Sequence, residues 1–166
     1  WVIPGTGIIL NNRLTGFSLD PASPNIIEPG KRPAHTLNAF TAVNPDGTLY
    51  LVGGTPGANI QVQTNLQLIT NVVDLKLNVQ EATEAPRWQH LNAPGQSTTE
   101  EAGSGVLEIE NRVPTAVLDE LRAKGHDVKE LAAWGHGSSV QLMQVLPNAT
   151  YAFGSDPRCE GHAAGI

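Results

Sequence analysis

The chain has 166 residues, with 16 acidic against 10 basic side chains for a formal charge of −6, and a single cysteine, Cys159. That length can bury a real core; the charge and the scattered Lys and Arg argue against nucleic acid as a partner, and one cysteine allows neither an intrachain disulfide nor a cysteine zinc site. No apolar run is long enough to span a bilayer, and the histidines at 35, 90, 126, 136 and 162 show no HxxxH or HxH spacing, so the chain reads as a soluble protein without a dedicated metal site.

The chain opens on Trp1 with no initiator methionine, basic segment or cleavage pattern, and so reads as a fragment. "VIPGTGIILNN" predicts a strand ending near Asn11, and "SLDPASPNIIEPGKRP" a proline-rich surface loop. "LNAFTAVNPDGTLYLVGG" alternates on both sides of Asn44-Pro45-Asp46-Gly47 and predicts a hairpin. From Ala58 to about Lys76, the residues Ile60, Val62, Leu66, Ile69, Val72, Val73 and Leu77 recur largely at three-to-four spacing, the pattern of an amphipathic helix. Asn78 as N-cap, Glu81 three residues on and Pro86 as terminator bound a second, short helix.

The polar, turn-rich "LNAPGQSTTEEAGSG" leads to a strand, "VLEIE". A helix, "VPTAVLDELRAKG", follows, with Pro114 near its start and Gly125 as its stop. "DVKELAAW" and the two runs of "SSVQLMQVLPNATYAFGSDPR", hinged at Pro147-Asn148, return to β structure. Strands joined by hairpins with helices laid on them predict an α+β fold with antiparallel sheets rather than a doubly wound parallel sheet. The glycosylation sequon "NAT" at 148–150 falls in the expected hairpin turn and receives no role.

The junction "GGTPGA" concentrates Gly53, Gly54 and Gly57 between a strand and a helix. It is not a dinucleotide fingerprint, because the spacing is GGxxG and the preceding strand belongs to a hairpin; it is not a P-loop, because no GK[ST] follows. Two readings remain. Backbone N–H groups of Gly57 and Ala58 at a helix start can face a developing oxyanion, or the glycines can simply permit tight packing.

"TGIILNN", "PGKRP", "GGTPGA", "LNVQEATEAPR" and "GSDPR", in this order and at this spacing, resemble the small subunit of the γ-glutamyltransferase family of N-terminal nucleophile hydrolases, over essentially the whole chain. The resemblance implies a precursor that cuts itself and frees a Thr as nucleophile, with its own α-amino group as base. That Thr is expected upstream of Trp1, so neither Thr6 nor Thr15 takes its place. Residues 1–166 are then expected to be a single domain, the C-terminal small subunit lacking its N-terminal segment. The implied fold is a four-layer αββα sandwich completed by a separate large subunit from the same precursor, acting on a small-molecule amide with no metal and no organic cofactor. The implied oxyanion hole is Gly57 and Ala58, with Thr55-Pro56 where the family has Ser-Pro and Ala58 where it has a second Gly.

The substrate grip departs from the family. Arg13 and Gly16 stand where the family has an acidic or amide residue and an Asp that hold the substrate α-ammonium; His35 and Thr36 stand where adjacent serines hold the α-carboxylate. A cation in place of an acceptor for a cation points away from γ-glutamyl groups and towards a small amide beside a carboxylate, as in oxamate, gripped by Arg13 with Thr36 and His35. The plainer reading sends Arg13 into solvent and makes His35 a structural hydrogen-bonding residue. A true γ-glutamyl hydrolase or transferase and a non-catalytic binding paralogue are the alternatives; the small-metabolite reading leans towards the cytoplasm. Lys31-Arg32, Arg87 and Asp156-Arg158 are expected as buried or half-buried ion pairs, and Trp88 and Trp134 as packing residues.

Overall fold

The computed structural model describes residues 1–57, 60–91 and 105–162. Where the sequence reads as one domain, the chain divides into two compact units, residues 1–37 and 38–166.

In the first unit the expected strand before Asn11 does not form. Gly5 (φ 77°) and Gly7 (φ 70°) turn the chain back too early. Val2 and Ile9 therefore make only an isolated antiparallel bridge, with Ile3 N–H on the Ile8 carbonyl and Leu10 N–H on the Trp1 carbonyl at 2.9 Å each. A 3-10 turn, Arg13–Gly16, follows. The proline-rich segment has no regular element beyond one bridge between Ser18 and Ile26.

The second unit begins with the expected hairpin, β1 (Phe40–Val43) and β2 (Leu49–Gly54). Its turn is closed by Asp46 Oδ1, which accepts from the Thr48 N–H at 2.9 Å and the Thr48 hydroxyl at 2.6 Å. After β2 come α1 (Gln61–Val73) and α2 (Val79–Glu84). Then follow β3 (Trp88–Leu91), β4 (Val106–Glu110), α3 (Thr115–Ala123), β5 (Asp127–Leu131), β6 (Gln141–Val145) and β7 (Tyr151–Ser155). One sheet has the order β1-β2-β6-β7 and is antiparallel throughout. The other, β3-β4-β5, is mixed, which corrects the expectation of purely antiparallel sheets: β4 and β5 run parallel because α3 carries the chain back to the same end.

Leu51 and Leu142 of the first sheet, Leu68 and Val72 of α1, Val79 and Ala82 of α2, and Val140 form the buried core. Each large side chain withdrawn from water there contributes roughly 1.5–3 kcal/mol. Helix α2 is fixed by the foreseen capping box: the Asn78 side chain accepts from Gln80 and Glu81 N–H at 3.0 and 2.9 Å, and Glu81 Oε2 accepts the Asn78 N–H at 3.0 Å.

The helical period predicted for α1 is correct, but the buried face is largely a different one. Gln61, Thr64, Asn65, Leu68 and Val72 are buried, whereas Val62 and Leu66 are exposed. The reason is a polar clasp. Gln63 takes both backbone groups of His90, at 2.7 and 3.0 Å, and Gln67 takes both of Trp88, at 2.9 and 3.2 Å. A four-residue step along a helix rises about 6 Å and a two-residue step along a strand about 6.6 Å, so Gln63 and Gln67 match the outer edge of β3 and satisfy it as a neighbouring strand would. That edge strand was not anticipated from the sequence. The polar stretch predicted over 91–105 lies, for residues 92–104, outside the described residues.

Candidate functional site

The strand-to-helix junction is built from the end of β2 onwards. Gly53 and Gly57 divide the two readings of the glycines between them. A Cβ on Gly53 would lie 2.5 Å from Leu142 Cδ1 and 2.9 Å from Phe40 Cζ, so Gly53 serves packing. Gly57 has φ +139°, outside the range of ordinary side chains, and a Cβ there would stand 2.7 Å from Ile60 Cγ1. Its carbonyl accepts the Ile60 N–H at 3.0 Å. Among the described residues the start of α1 has no side-chain cap, its N-cap being Ile60, and no acidic residue in its first turn, so no described side chain offsets the positive potential of the helix start. Ala58, the second expected donor, lies outside the described residues.

Thr55 precedes this turn and is buried. Its Oγ1 donates to the Pro56 carbonyl at 2.7 Å and accepts the Ser139 N–H at 3.0 Å. Ser139 sits between two anchored neighbours. Ser138 Oγ accepts from Arg87 at 2.9 Å, and Val140 N–H donates to Asp156 Oδ2 at 2.8 Å. Sequence reasoning placed Thr55 beside the turn without giving it a role and missed His136, Ser138 and Ser139; the contacts that tie Thr55 to Ser139 and Ser138 to Arg87 join residues 84 and 51 positions apart.

Beneath that loop is a closed ionic network of the kind expected for Arg87 and Asp156-Arg158. Arg87 meets Asp156 at 2.5 Å, Arg158 meets Asp156 at 2.9 Å and Glu110 at 2.6 Å, and all four side chains are at most 3% exposed. Arg112 adds a second cation to Glu110 at 2.7 Å, the third of the network. Arg87 and Arg158 also take the Thr83 carbonyl at 2.6 and 3.0 Å, and Arg158 the Ala85 carbonyl at 3.0 Å, closing the C-terminal end of α2. Burial pushes the Glu110 pKa up, but hydrogen bonds from Arg158 and Arg112 outweigh it and bring the pKa down to about 2.

His136, 4% exposed, goes the other way from an ordinary histidine: burial, reinforced by repulsion from Arg87, lowers its pKa to about 4. Its Nδ1 accepts the Ser138 N–H at 3.2 Å and lies 2.7 Å from Ser138 Oγ. Because Nδ1 accepts the Ser138 N–H, it carries no proton of its own; the neutral imidazole then has its proton on Nε2, and the Ser138 hydroxyl donates to Nδ1. Trp134 is not the packing residue expected. It is 44% exposed and its ring is covered by the Arg112 guanidinium, 3.6 Å from the ring centre, with Arg158 at 5.0 Å.

Arg13, His35 and Thr36 lie in the first unit, and Gly57 in the second. Arg13 is exposed at the start of its 3-10 turn, and its N–H is held by Asn11 Oδ1 at 2.9 Å. Gly16 closes that turn against Ala34. A Cβ on Gly16 would overlap the Ala34 carbonyl, so no side chain fits there and the turn bearing Arg13 abuts the segment bearing His35 and Thr36. His35 is exposed, and its Nδ1 accepts the Leu37 N–H at 3.3 Å; Thr36 is also exposed. Lys31 and Arg32 are not the buried or half-buried pair expected: both are exposed, and Lys31 pairs at 3.0 Å with a still more exposed Glu28. Among the described residues no group of three His, Cys, Asp or Glu side chains could hold a metal ion, and no helix is long and apolar enough to cross a membrane.

The sequence profile described as gamma-glutamyltranspeptidase matches residues 1–166. The chain is 38% identical over 168 residues to the oxamate amidohydrolase proenzyme of Klebsiella pneumoniae subsp. pneumoniae, covering 99% of this chain and 30% of that protein. It is 35% identical over 163 residues to the glutathione hydrolase proenzyme of Escherichia coli, covering 92% and 26%. It superposes on the gamma-glutamyltranspeptidase from Pseudomonas nitroreducens complexed with L-DON with a TM-score of 0.76 at 28% identity, covering 100% of this chain and 86% of that one. The chain thus spans less than a third of the length of these curated relatives.

Proposed function

The chain belongs to the gamma-glutamyltranspeptidase family, and on that premise we propose that it is the small-subunit portion of a self-processed amide hydrolase. The observation that carries the reading is the Gly57 turn, whose φ of +139° suits glycine alone, ahead of a helix that no described side chain caps. The nucleophile in this proposal is a Thr upstream of Trp1, freed by cleavage, with its α-amino group taking the hydroxyl proton. Its oxygen attacks the amide carbonyl and the leaving amine departs with a proton. Water then resolves the ester. In both steps the negative oxygen of the tetrahedral intermediate is received by the N–H groups of Gly57 and Ala58.

The substrate is a small amide bearing a carboxylate, with oxamate as the working case. Arg13 supplies a planar pair of donors for that carboxylate, with Thr36 and His35 beside it. Gly16, where a side chain would strike Ala34, leaves no room for the Asp that family members use to hold an ammonium. The large subunit of the same precursor would cover the open face of the first sheet, where Thr41, Val52, Met143 and Phe153 stand in one cross-strand row and Val43, Tyr151 and Phe153 are exposed. That cover would complete the four-layer αββα sandwich.

The test uses the full-length precursor. N-terminal sequencing of the mature small chain is expected to find Thr, and turnover to favour oxamate over glutathione. Arg13→Met is expected to raise KM for oxamate by roughly 10–100-fold, the loss of one charge-assisted contact. Glutathione turned over more efficiently than oxamate would replace this reading with the γ-glutamyl one, which the Escherichia coli relative favours. A precursor that neither cleaves itself nor hydrolyses an amide would leave a binding paralogue.

A further inference from the structure

We infer that Thr55 is the positioning residue of the oxyanion turn, its hydroxyl fixing the direction in which the Gly57 N–H points. This rests on the proposed role of Gly57. The Pro56 carbonyl and the Gly57 N–H belong to one planar trans peptide unit and point in opposite directions. Whatever holds the carbonyl therefore aims the N–H. Among the described residues Thr55 Oγ1 is the group that holds it, at 2.7 Å.

The hydroxyl itself has a fixed sense. Oγ1 accepts the Ser139 N–H at 3.0 Å, so its proton is left for Pro56. Ser139 is rigid in turn, because Ser138 is tied to Arg87 through both its hydroxyl, 2.9 Å, and its carbonyl, 3.3 Å, and Val140 to Asp156. The neutral ring of His136 accepts from Ser138 on the far side of that loop. A donor aimed in advance stabilises the developing oxyanion without reorganisation during the reaction, and a hydrogen bond received at the Pro56 oxygen polarises the same peptide and strengthens its N–H as a donor. Proline at 56 contributes by locking its own φ, leaving the orientation of the following peptide as the remaining freedom. Thr55 touches no reacting atom, so the whole effect travels through one peptide plane.

The experiment compares Thr55→Val and Thr55→Ser in the full-length precursor, with kcat and KM for amide hydrolysis normalised to the processed fraction. Valine keeps the shape and loses the hydroxyl; serine keeps the hydroxyl. Thr55→Val is expected to lower kcat about 10- to 100-fold with KM within about twofold of the parent, the pattern of an interaction made only in the transition state. Thr55→Ser is expected to hold kcat within about threefold. The proposal is overturned if Thr55→Val keeps the parent kcat, if its loss appears in KM alone, or if a folded, processed Thr55→Ser loses as much kcat as Thr55→Val. Where the valine protein does not fold, Thr55→Ala takes its place with the same expected and overturning outcomes, and a processed Thr55→Ser that loses about 10-fold or more of kcat overturns the proposal by itself. A parent enzyme that works alongside an unimpaired Thr55→Val removes the positioning role and leaves the oxyanion reading standing; a parent that hydrolyses no amide removes both.

Discussion

Residues 1–37 hold their shape through hydrogen bonds that seldom reach past the neighbouring turn, such as Arg13 N–H on Asn11 and the Thr15 hydroxyl on the Asn12 carbonyl. In residues 38–166, Arg87 meets Asp156 across 69 positions, and Arg158 meets Glu110 across 48 and Thr83 at the end of α2 across 75. The apolar side chains divide in the same way. Trp1, Ile9, Leu14 and Leu19 stand exposed, while Leu51, Leu68 and Val140 are sealed. The proposed oxyanion turn grows from the second kind of structure and the proposed carboxylate grip from the first. A charge-stabilising donor gains from being fixed before the reaction, whereas a grip on the carboxylate needs only the right charge within reach.

Breaking the network is the strongest way to challenge that contrast. Glu110→Ala removes the acceptor of Arg158 Nε at 2.7 Å and of Arg112 at 2.7 Å, leaving buried guanidinium charge poorly matched. We expect a loss of about 3–5 kcal/mol in denaturant unfolding of the full-length protein, the usual cost of removing one partner of a buried pair. A loss below about 1 kcal/mol would show that the second unit does not depend on its ionic centre.

Acid titration is expected to produce an effect of slightly smaller size. His136 has a folded pKa of about 4 against an ordinary 6.5. Between those values the unfolded chain binds the proton and the folded chain does not, so stability is complete above pH 6.5 and falls as pH drops towards 4, by about 3 kcal/mol. Glu110, at about 2 against 4.5, removes a similar amount from pH 4.5 down to 2. His136→Gln is expected to flatten the upper window and leave the lower one. Melting curves across both windows check this; an unchanged slope between pH 6.5 and 4 would mean that the imidazole is protonated in the folded protein.

What the sequence disclosed follows the same division between near and far. The hairpin β1–β2, the Asn78 capping box and the stop of α3 at Gly125 are signalled within a few residues, and each stands where it was expected. The edge strand β3 was not legible, because its outer hydrogen bonds go to Gln63 and Gln67 rather than to another strand. The buried face of α1 was misjudged for the same reason: its apolar spacing suggested Val62 and Leu66, while packing and the Asn65 contact to the Asn38 carbonyl, 2.5 Å, selected a more polar face. Gly57 could be singled out from its turn, but the role of Thr55 could not, since its partner Ser139 is 84 positions away. Arg13, His35 and Thr36 were legible only through the family's motifs, because no local rule distinguishes an exposed arginine that binds a ligand from one that does not.

The smallest effect tests the first unit. Lys31 and Glu28 pair at 3.0 Å, but their side chains are 33% and 59% exposed. Water screens such a pair, and holding two long side chains in one arrangement costs entropy that offsets the attraction. Lys31→Met is therefore expected to change unfolding free energy by less than about 0.5 kcal/mol, with the difference vanishing at roughly 1 M salt, where the screening length falls to about 3 Å. A loss above about 1 kcal/mol that survives high salt would be the signature of a desolvated charge. Residues 1–37 would then be set by a protected contact of the kind found at Glu110, and the proposed grip at Arg13 would have to be treated as equally fixed in advance.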